Sequence, residues 1–288
     1  LLFKSCSKVL WTCTNKTFIR AAKMKRVTLF FILLINLLSA NATAEPFDHQ
    51  HSQFTQILQQ HVRWINPHET AVDYESLTQH KEALQRYLDQ LRRVTYAEFN
   101  RFSKHQQLAF LINAYNAYTL SWVANEHEHI NSIKDLGTLF KSPWKQKIFT
   151  LFGKAVSLDY IEHDLIRQPG RFDDPRIHMA VNCASKGCPA LRDEAFTADK
   201  LNAQLDDGVS RFLSDKSRNR IEKNTIFVSK IFDWYESDFV KNSGSLLNWL
   251  RKNQSSLASN TDHKNTINGQ DPDIKFLDYD WGLNRLEH

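Results

Sequence analysis

The chain has 288 residues, with 37 lysines and arginines against 32 acids and 42% hydrophobic side chains. Seven of the basic residues precede Glu45 and no acid does, so the chain from Glu45 onward holds 30 basic against 32 acidic side chains. The basic excess thus belongs to the first 44 residues. No Lys/Arg stripe with interleaved aromatics follows, which excludes nucleic-acid binding.

The first readable element begins at Met24. Lys25 and Arg26 give a positive start, Val27 to Leu38 an apolar run, and Ala42-Thr43-Ala44 a small-residue cleavage pattern. That is the layout of a secretory signal peptide over 24–44. The apolar run is about a dozen residues, short of the ~20 that a spanning helix needs, which weighs against a retained anchor. Residues 1–23, ahead of the first methionine, read as an upstream extension that is not translated. The expected product is exported, periplasmic or secreted, with no stable membrane insertion once the signal is removed. Cys6 and Cys13 fall in the prefix, leaving Cys183 and Cys188 in a compartment where neighbouring thiols tend to pair.

Helical spacing over 54–65 puts Phe54, Ile57, Leu58, Val62 and Ile65 on one stripe, making 45–71 an N-terminal helical segment. The "DHQH" at 48–51 reads as a flexible start. A second amphipathic helix is predicted over 76–93. A third, over 103–125, is apolar nearly all round and reads as a buried central helix. Residues 147–160 predict a hairpin turning near Gly153-Lys154. Residues 158–167 predict a short helix capped by Asp159 and Glu162 and ended by Pro169-Gly170. "RIHMAVN" (176–182) alternates as a strand, with Ile177, Met179 and Val181 on one face. A helix over 197–213, a hairpin in 219–230, two more helices and a closing strand over 274–281 complete the pass. Helices packed around a small antiparallel sheet, without βαβ alternation, make an α+β fold.

Chemistry concentrates at Cys183 and Cys188. Ser185-Lys186-Gly187 supply a turn, with Gly187 free to take positive φ. Pro189 suits a first helical position, which would make Cys188 an N-cap whose thiolate the helix dipole stabilises. A disulfide across the turn, a working thiol and inert buried thiols all remain open. A nucleophilic cysteine needs a base. His163 is one candidate, with Asp159 one turn earlier better placed to orient it than the adjacent Glu162. His178 is the other, and reaches Cys188 only if the turn folds back over the strand. Asn113 and Asn116, on an apolar helix, must anchor backbone or line a site. "NEHEH" (125–129) reads as a solvated turn and two sulfurs alone are an incomplete zinc site, so no metal is expected. No phosphate loop, GxSxG or HExxH occurs, and no cofactor is implied.

"FLINAYNAYTL", "LDYIEHDLIR", "DDPRIHMAVNCASKGCPALR", "KIFDWYESDF" and "FLDYDWGLN" resemble, in that order, the signature blocks of the domain of unknown function 547 family. The resemblance runs from about Val72 to Asn284 and implies a single α+β domain over 72–288. It marks Asn113 to Asn116, Ile161 to His163, Asn182, Cys183, Cys188 and Pro189 as the positions that matter. Family members often carry Ser where this chain has Gly187, which favours a tight turn here. The fold implied is similar to papain-like or transglutaminase-like architectures.

Two functions are expected first from this reading, with a scaffold that binds protein partners through its amphipathic N-terminal helices as a third. One is a cysteine-dependent hydrolase or acyl-transfer enzyme acting on a peptide-like or thiol-containing substrate. Cys188 is then the nucleophile with Cys183 as redox partner, and His163 the base, oriented by Glu162 or Asp159. Asn113 or Asn182 holds the oxyanion, and Asn116, His178 and Asn182 contact substrate. The other is a non-catalytic module binding a peptide or glutathione-like ligand, stapled by Cys183–Cys188. The sequence leaves oligomeric state open.

Overall fold

The structure is a computed structural model that describes residues 46–287. The expected upstream extension, the signal peptide, Cys6 and Cys13 all lie outside the described residues.

The "DHQH" stretch is an ordered helix start, because the first backbone N–H groups of a helix need acceptors. The Asp48 carboxylate accepts from Gln50 N and Ser52 N, both at 2.9 Å. His51 is buried at φ 48°, with its Nδ1 2.6 Å from the Tyr87 hydroxyl. Helix α1 (Ser52–His61) then ends sooner than its spacing predicts. Val62–Asn66 (β1) pairs antiparallel with Glu69–Val72 (β2). Val62 and Ile65 fit a helical stripe, but β-branched and aromatic residues before an Asn-Pro pair favour a strand and turn. Ile65 is accordingly 58% exposed.

Helices α2 (Tyr74–Gln79) and α3 (Lys81–Arg93) replace the single helix expected over 76–93, divided at His80. A short α4 (Tyr96–Phe99) precedes α5 (Lys104–Glu126). Helix α5 starts with a reciprocal Ser103–Gln106 capping box and is buried without interruption from Leu108 to Leu120. It is the central helix of the larger core. The hairpin of β3 (Phe149–Leu151) and β4 (Lys154–Val156) turns at Phe152 and Gly153, both at positive φ, the two-residue geometry that suits twisted strands.

Beyond α6 (Leu201–Ser214), strands β5 (Arg220–Glu222) and β6 (Thr225–Ser229) form a hairpin. Five helices follow: α7 (Ile231–Trp234), α8 (Glu236–Ser243), α9 (Leu246–Lys252), α10 (Gln254–Leu257) and α11 (Thr261–Asn268). They carry the chain across so that β7 (Asp273–Leu277) joins β6 in parallel, which only a long crossover permits. The three-stranded sheet is thus mixed where an antiparallel one was expected, while β1–β2 and β3–β4 form two separate antiparallel hairpins. A second core gathers Phe212, Phe232, Phe239 and Trp249 against this sheet. The fold class is α+β, and Phe47 onward forms one compact unit. Among the described residues no helix is long and apolar enough to cross a membrane.

The strand expected over 176–182 does not form. Pro175 and the Asp174 side chain, which accepts from Arg176 N, start a 3₁₀ helix over Pro175–Met179. Its apolar side chains serve both cores, Ile177 the larger and Met179 the second, so the period-two pattern reflects two packing partners.

Burial pushes the His51 imidazole down from 6.5 to about 3. The unfolded chain binds that proton near 6.5 and the folded chain does not, so this stability is complete above pH 6.5 and is lost as pH falls toward 3. Urea unfolding across this range should steepen by about 1.4 kcal/mol per pH unit for the one proton. His51→Gln should remove that increment.

Candidate active site

The cysteine loop has no regular structure and is held from outside. Asn182 accepts from Ala184 N (2.9 Å) through its Oδ1 and donates to the Pro189 carbonyl (2.8 Å) through its Nδ2. The loop thereby closes on itself, with Ala184 at φ 61°. The C-terminal segment pairs along it. Lys186 N donates to Gly282 O (2.7 Å), Gly187 N to Asp280 O (2.8 Å), and Asn284 N to Ala184 O (3.1 Å). The Arg218 guanidinium holds the Cys188 carbonyl at 2.7 Å. The two sulfurs lie at disulfide distance, with Cα atoms 6.4 Å apart.

No helix follows Pro189. Its carbonyl is engaged by Asn182, and the helix-dipole argument for Cys188 is lost along with the papain-like placement of a cysteine at a helix start. Hydrogen bonds take the dipole's place. The Cys188 sulfur accepts from Cys183 N at 3.0 Å and from the Tyr279 hydroxyl at 3.1 Å. The same hydroxyl lies 3.3 Å from the Cys183 sulfur. Gly187 is required by this contact, since a Cβ there would sit 2.8 Å from the Tyr279 ring. The positive φ expected at Gly187 occurs at Ala184 instead.

A π-helix over Tyr160–Ile166 forms the facing wall, closed by Arg167 N donating to Glu162 O at 2.8 Å. Such wide turns recur at functional sites. Asp159 does not cap it; Ser157 Oγ accepts from Tyr160 N instead. Glu162 is buried, and its Oε1 has no hydrogen-bond partner. His163 is half-exposed, with Nε2 3.5 Å from Asp159 Oδ1 and Nδ1 2.5 Å from the Arg167 guanidinium.

Arg167 grips Asp238 through two bonds, at 2.7 and 3.0 Å. Asp238 in turn accepts from His178 Nε2 at 2.8 Å. Burial alone would raise the Asp238 carboxyl, but the hydrogen bonds from His178 and Arg167 prevail and hold it well below the carboxylate range. Burial pushes His178 down, and the Asp238 bond and Glu162 charge offset this only in part. The imidazole is therefore neutral at pH 7, its Nε2–H given to Asp238. Its Nδ1 is buried without a partner. The ring stacks on Tyr235 at 3.9 Å between centroids. Burial, and then the Glu162 charge, raise the Tyr235 hydroxyl far above its ordinary value.

These walls enclose a cleft of about 230 Å³. Cys183, Cys188, Glu162, His163 and His178 all line it, with Trp144, Trp234, Tyr235, Tyr279 and Trp281 as its aromatic surface. Asn113, Asn116 and Asn182 do not. Asn113 clamps Phe196 from both sides (Nδ2 to O, 2.8 Å; N to Oδ1, 2.9 Å), and Asn116 joins Ala180 O to Asn182 N. Among the described residues no group of three or more His, Cys, Asp or Glu side chains is placed to hold a metal ion.

Residues 99–213 match the family model described as a protein of unknown function, DUF547. This segment is a DUF547 domain. No curated protein and no solved structure matches the chain. The DUF547 segment contains both cysteines, Glu162, His163, Arg167 and His178, whereas Tyr235, Asp238 and Tyr279 lie beyond it. Those last three sit inside the "KIFDWYESDF" and "FLDYDWGLN" blocks, where nothing local points to a role for them. The blocks themselves were the available signal; partner geometry was not.

Asn113→Ala leaves two buried backbone groups without partners and should cost about 2–4 kcal/mol in urea unfolding, with cysteine reactivity unchanged. Asn182→Ala should cost a similar amount and also speed reduction of the cysteine pair, read by mass spectrometry after alkylation.

Proposed function

We propose that the chain is an exported thiol-dependent hydrolase or acyl-transfer enzyme for a peptide-like or thiol-containing substrate, resting with Cys183 and Cys188 joined. One observation carries this reading: a neutral His178, oriented by Asp238 and with its Nδ1 unengaged, shares the cleft wall with the cysteine pair. A nucleophile, a base and a group orienting the base are the parts that covalent acyl transfer needs.

A dithiol reductant supplies two electrons and two protons to open the disulfide, and is itself oxidised to a disulfide. The Cys183 N–H and Tyr279 O–H that face the Cys188 sulfur then stabilise its thiolate. His178 takes the thiol proton, Cys188 attacks the acyl carbon, and the bond to the leaving group breaks as His178 returns the proton to it. Water or a second nucleophile then resolves the thioester. His178 suits the base role better than His163, whose two ring nitrogens face Asp159 and Arg167. The Asn113 and Asn182 amides hold backbone, leaving the Tyr279 hydroxyl as the nearer donor for developing charge.

The binding-module reading has its own support: the joined sulfurs are capped by Tyr279, and the cleft is walled by tryptophans. One experiment separates the two. Alkylation of the oxidised chain should leave Cys183 and Cys188 unmodified. After reduction, Cys188 should react with an apparent pKa below the ordinary ~8.5, raised again in Tyr279→Phe. His178→Ala should slow turnover of an activated thioester by about 100-fold. A Cys188 that stays inert after reduction would overturn the enzyme and leave the stapled module.

A further inference from the structure

We infer that the turn at Leu139-Phe140 is a docking tip for an anionic phospholipid surface. The two side chains are adjacent, large and apolar, and each is 96% exposed. Scattered exposed apolar residues are ordinary, but a neighbouring pair held at full exposure at the end of a turn is not.

The tip is built to project. Thr138 and Lys141 exchange backbone hydrogen bonds at 2.9 and 3.3 Å, so Leu139 and Phe140 occupy the two central turn positions. The base is anchored by buried Ile133 and Pro143, and by the Gln146 side chain donating to Leu136 O at 2.6 Å. Gly137 packs so closely that a Cβ would meet Lys134 O at 3.0 Å and Pro143 Cδ at 3.1 Å. The pair cannot easily fold back onto the protein to cover itself.

Charge selects the occupant. From Leu136 to Leu158 the chain has no acidic residue, and Lys141, Lys145, Lys147 and Lys154 are all exposed. None of the four has an ion-pair partner among the described residues. Asp135, just before this stretch, is engaged in capping the backbone of Asn131 and Ser132. Ile148, beside Lys147, is a further half-exposed apolar side chain in this acid-free stretch. Apolar side chains flanked by uncompensated lysines match the boundary between acyl chains and anionic headgroups. The loop runs on into Ser142 and Trp144 of the cleft wall, so docking brings the cleft to the membrane surface. The inference does not depend on the cleft's chemistry.

The test reads the tip directly. In the chain from Glu45 onward, which holds the compact unit and no cysteine besides Cys183 and Cys188, an environment-sensitive fluorophore is attached at Phe140→Cys while that pair stays oxidised. Phosphatidylcholine vesicles containing phosphatidylglycerol should shift its emission to the blue, and doxyl groups on the lipid chains should quench it. Lys141→Gln, Lys145→Gln and Lys147→Gln together should raise the lipid needed by at least about tenfold. No shift with the anionic vesicles overturns the inference, as does an equal response to pure phosphatidylcholine. A blue shift that grows with protein concentration in the absence of lipid also overturns it, by showing a second copy on the tip.

Discussion

The site depends on the last strand-like stretch of the chain lying beside a loop that cannot support itself. Buried N–H and C=O groups must find partners, and the cysteine loop, lacking helix or ladder, borrows them from residues 280–284. The same stretch reaches back to the other end of the fold. Val72 N donates to Asn284 O and Leu286 N to Val72 O, both at 2.8 Å, while Asn284 Oδ1 accepts from Tyr74 at 2.8 Å. One segment thus fastens the N-terminal hairpin, closes the cysteine loop and sets the Tyr279 hydroxyl against both sulfurs.

The facing wall works by electrostatics. Arg167, Asp238 and His178 form a continuous hydrogen-bonded chain running from the half-exposed π-helix to the buried imidazole. Asp238 stays ionised because two donors converge on it, and its charge fixes which His178 nitrogen carries the proton. The partnerless Glu162 Oε1 and His178 Nδ1 both belong to residues of this cleft. Buried polar atoms are normally paired, so these two stand out in the cleft wall, while the other partnerless atoms, such as His61 Nδ1 and Thr70 Oγ1, lie away from it.

Several elements were readable because local chemistry and tertiary packing agree. Helix α5 is apolar all round and capped by Ser103 and Gln106, so it could only be a buried helix. The Phe152-Gly153 turn followed from strand character on either side of a glycine. Where they disagree, the pattern misled. Val62 and Ile65 are spaced for one helical stripe, but on a strand they face opposite sides, Val62 buried and Ile65 exposed. Ile177 and Met179 alternate because they enter different cores. Cys188-Pro189 has the composition of a helix start, yet Asn182 takes the proline carbonyl and no helix forms.

The sequence alone determined the α+β class and the central helix, and its blocks resemble those of the DUF547 domain that residues 99–213 match. The class and the central helix follow from composition and periodicity, which are properties of neighbouring residues, whereas the family follows from the resemblance of its blocks. Only the tertiary structure decided which groups meet. Asp238 lies 60 residues from His178, and Tyr279 lies 91 from Cys188. No local pattern encodes those distances, because the crossover that delivers β7 beside β6, and the pairing of residues 280–284 with the cysteine loop, are set by how the two cores pack.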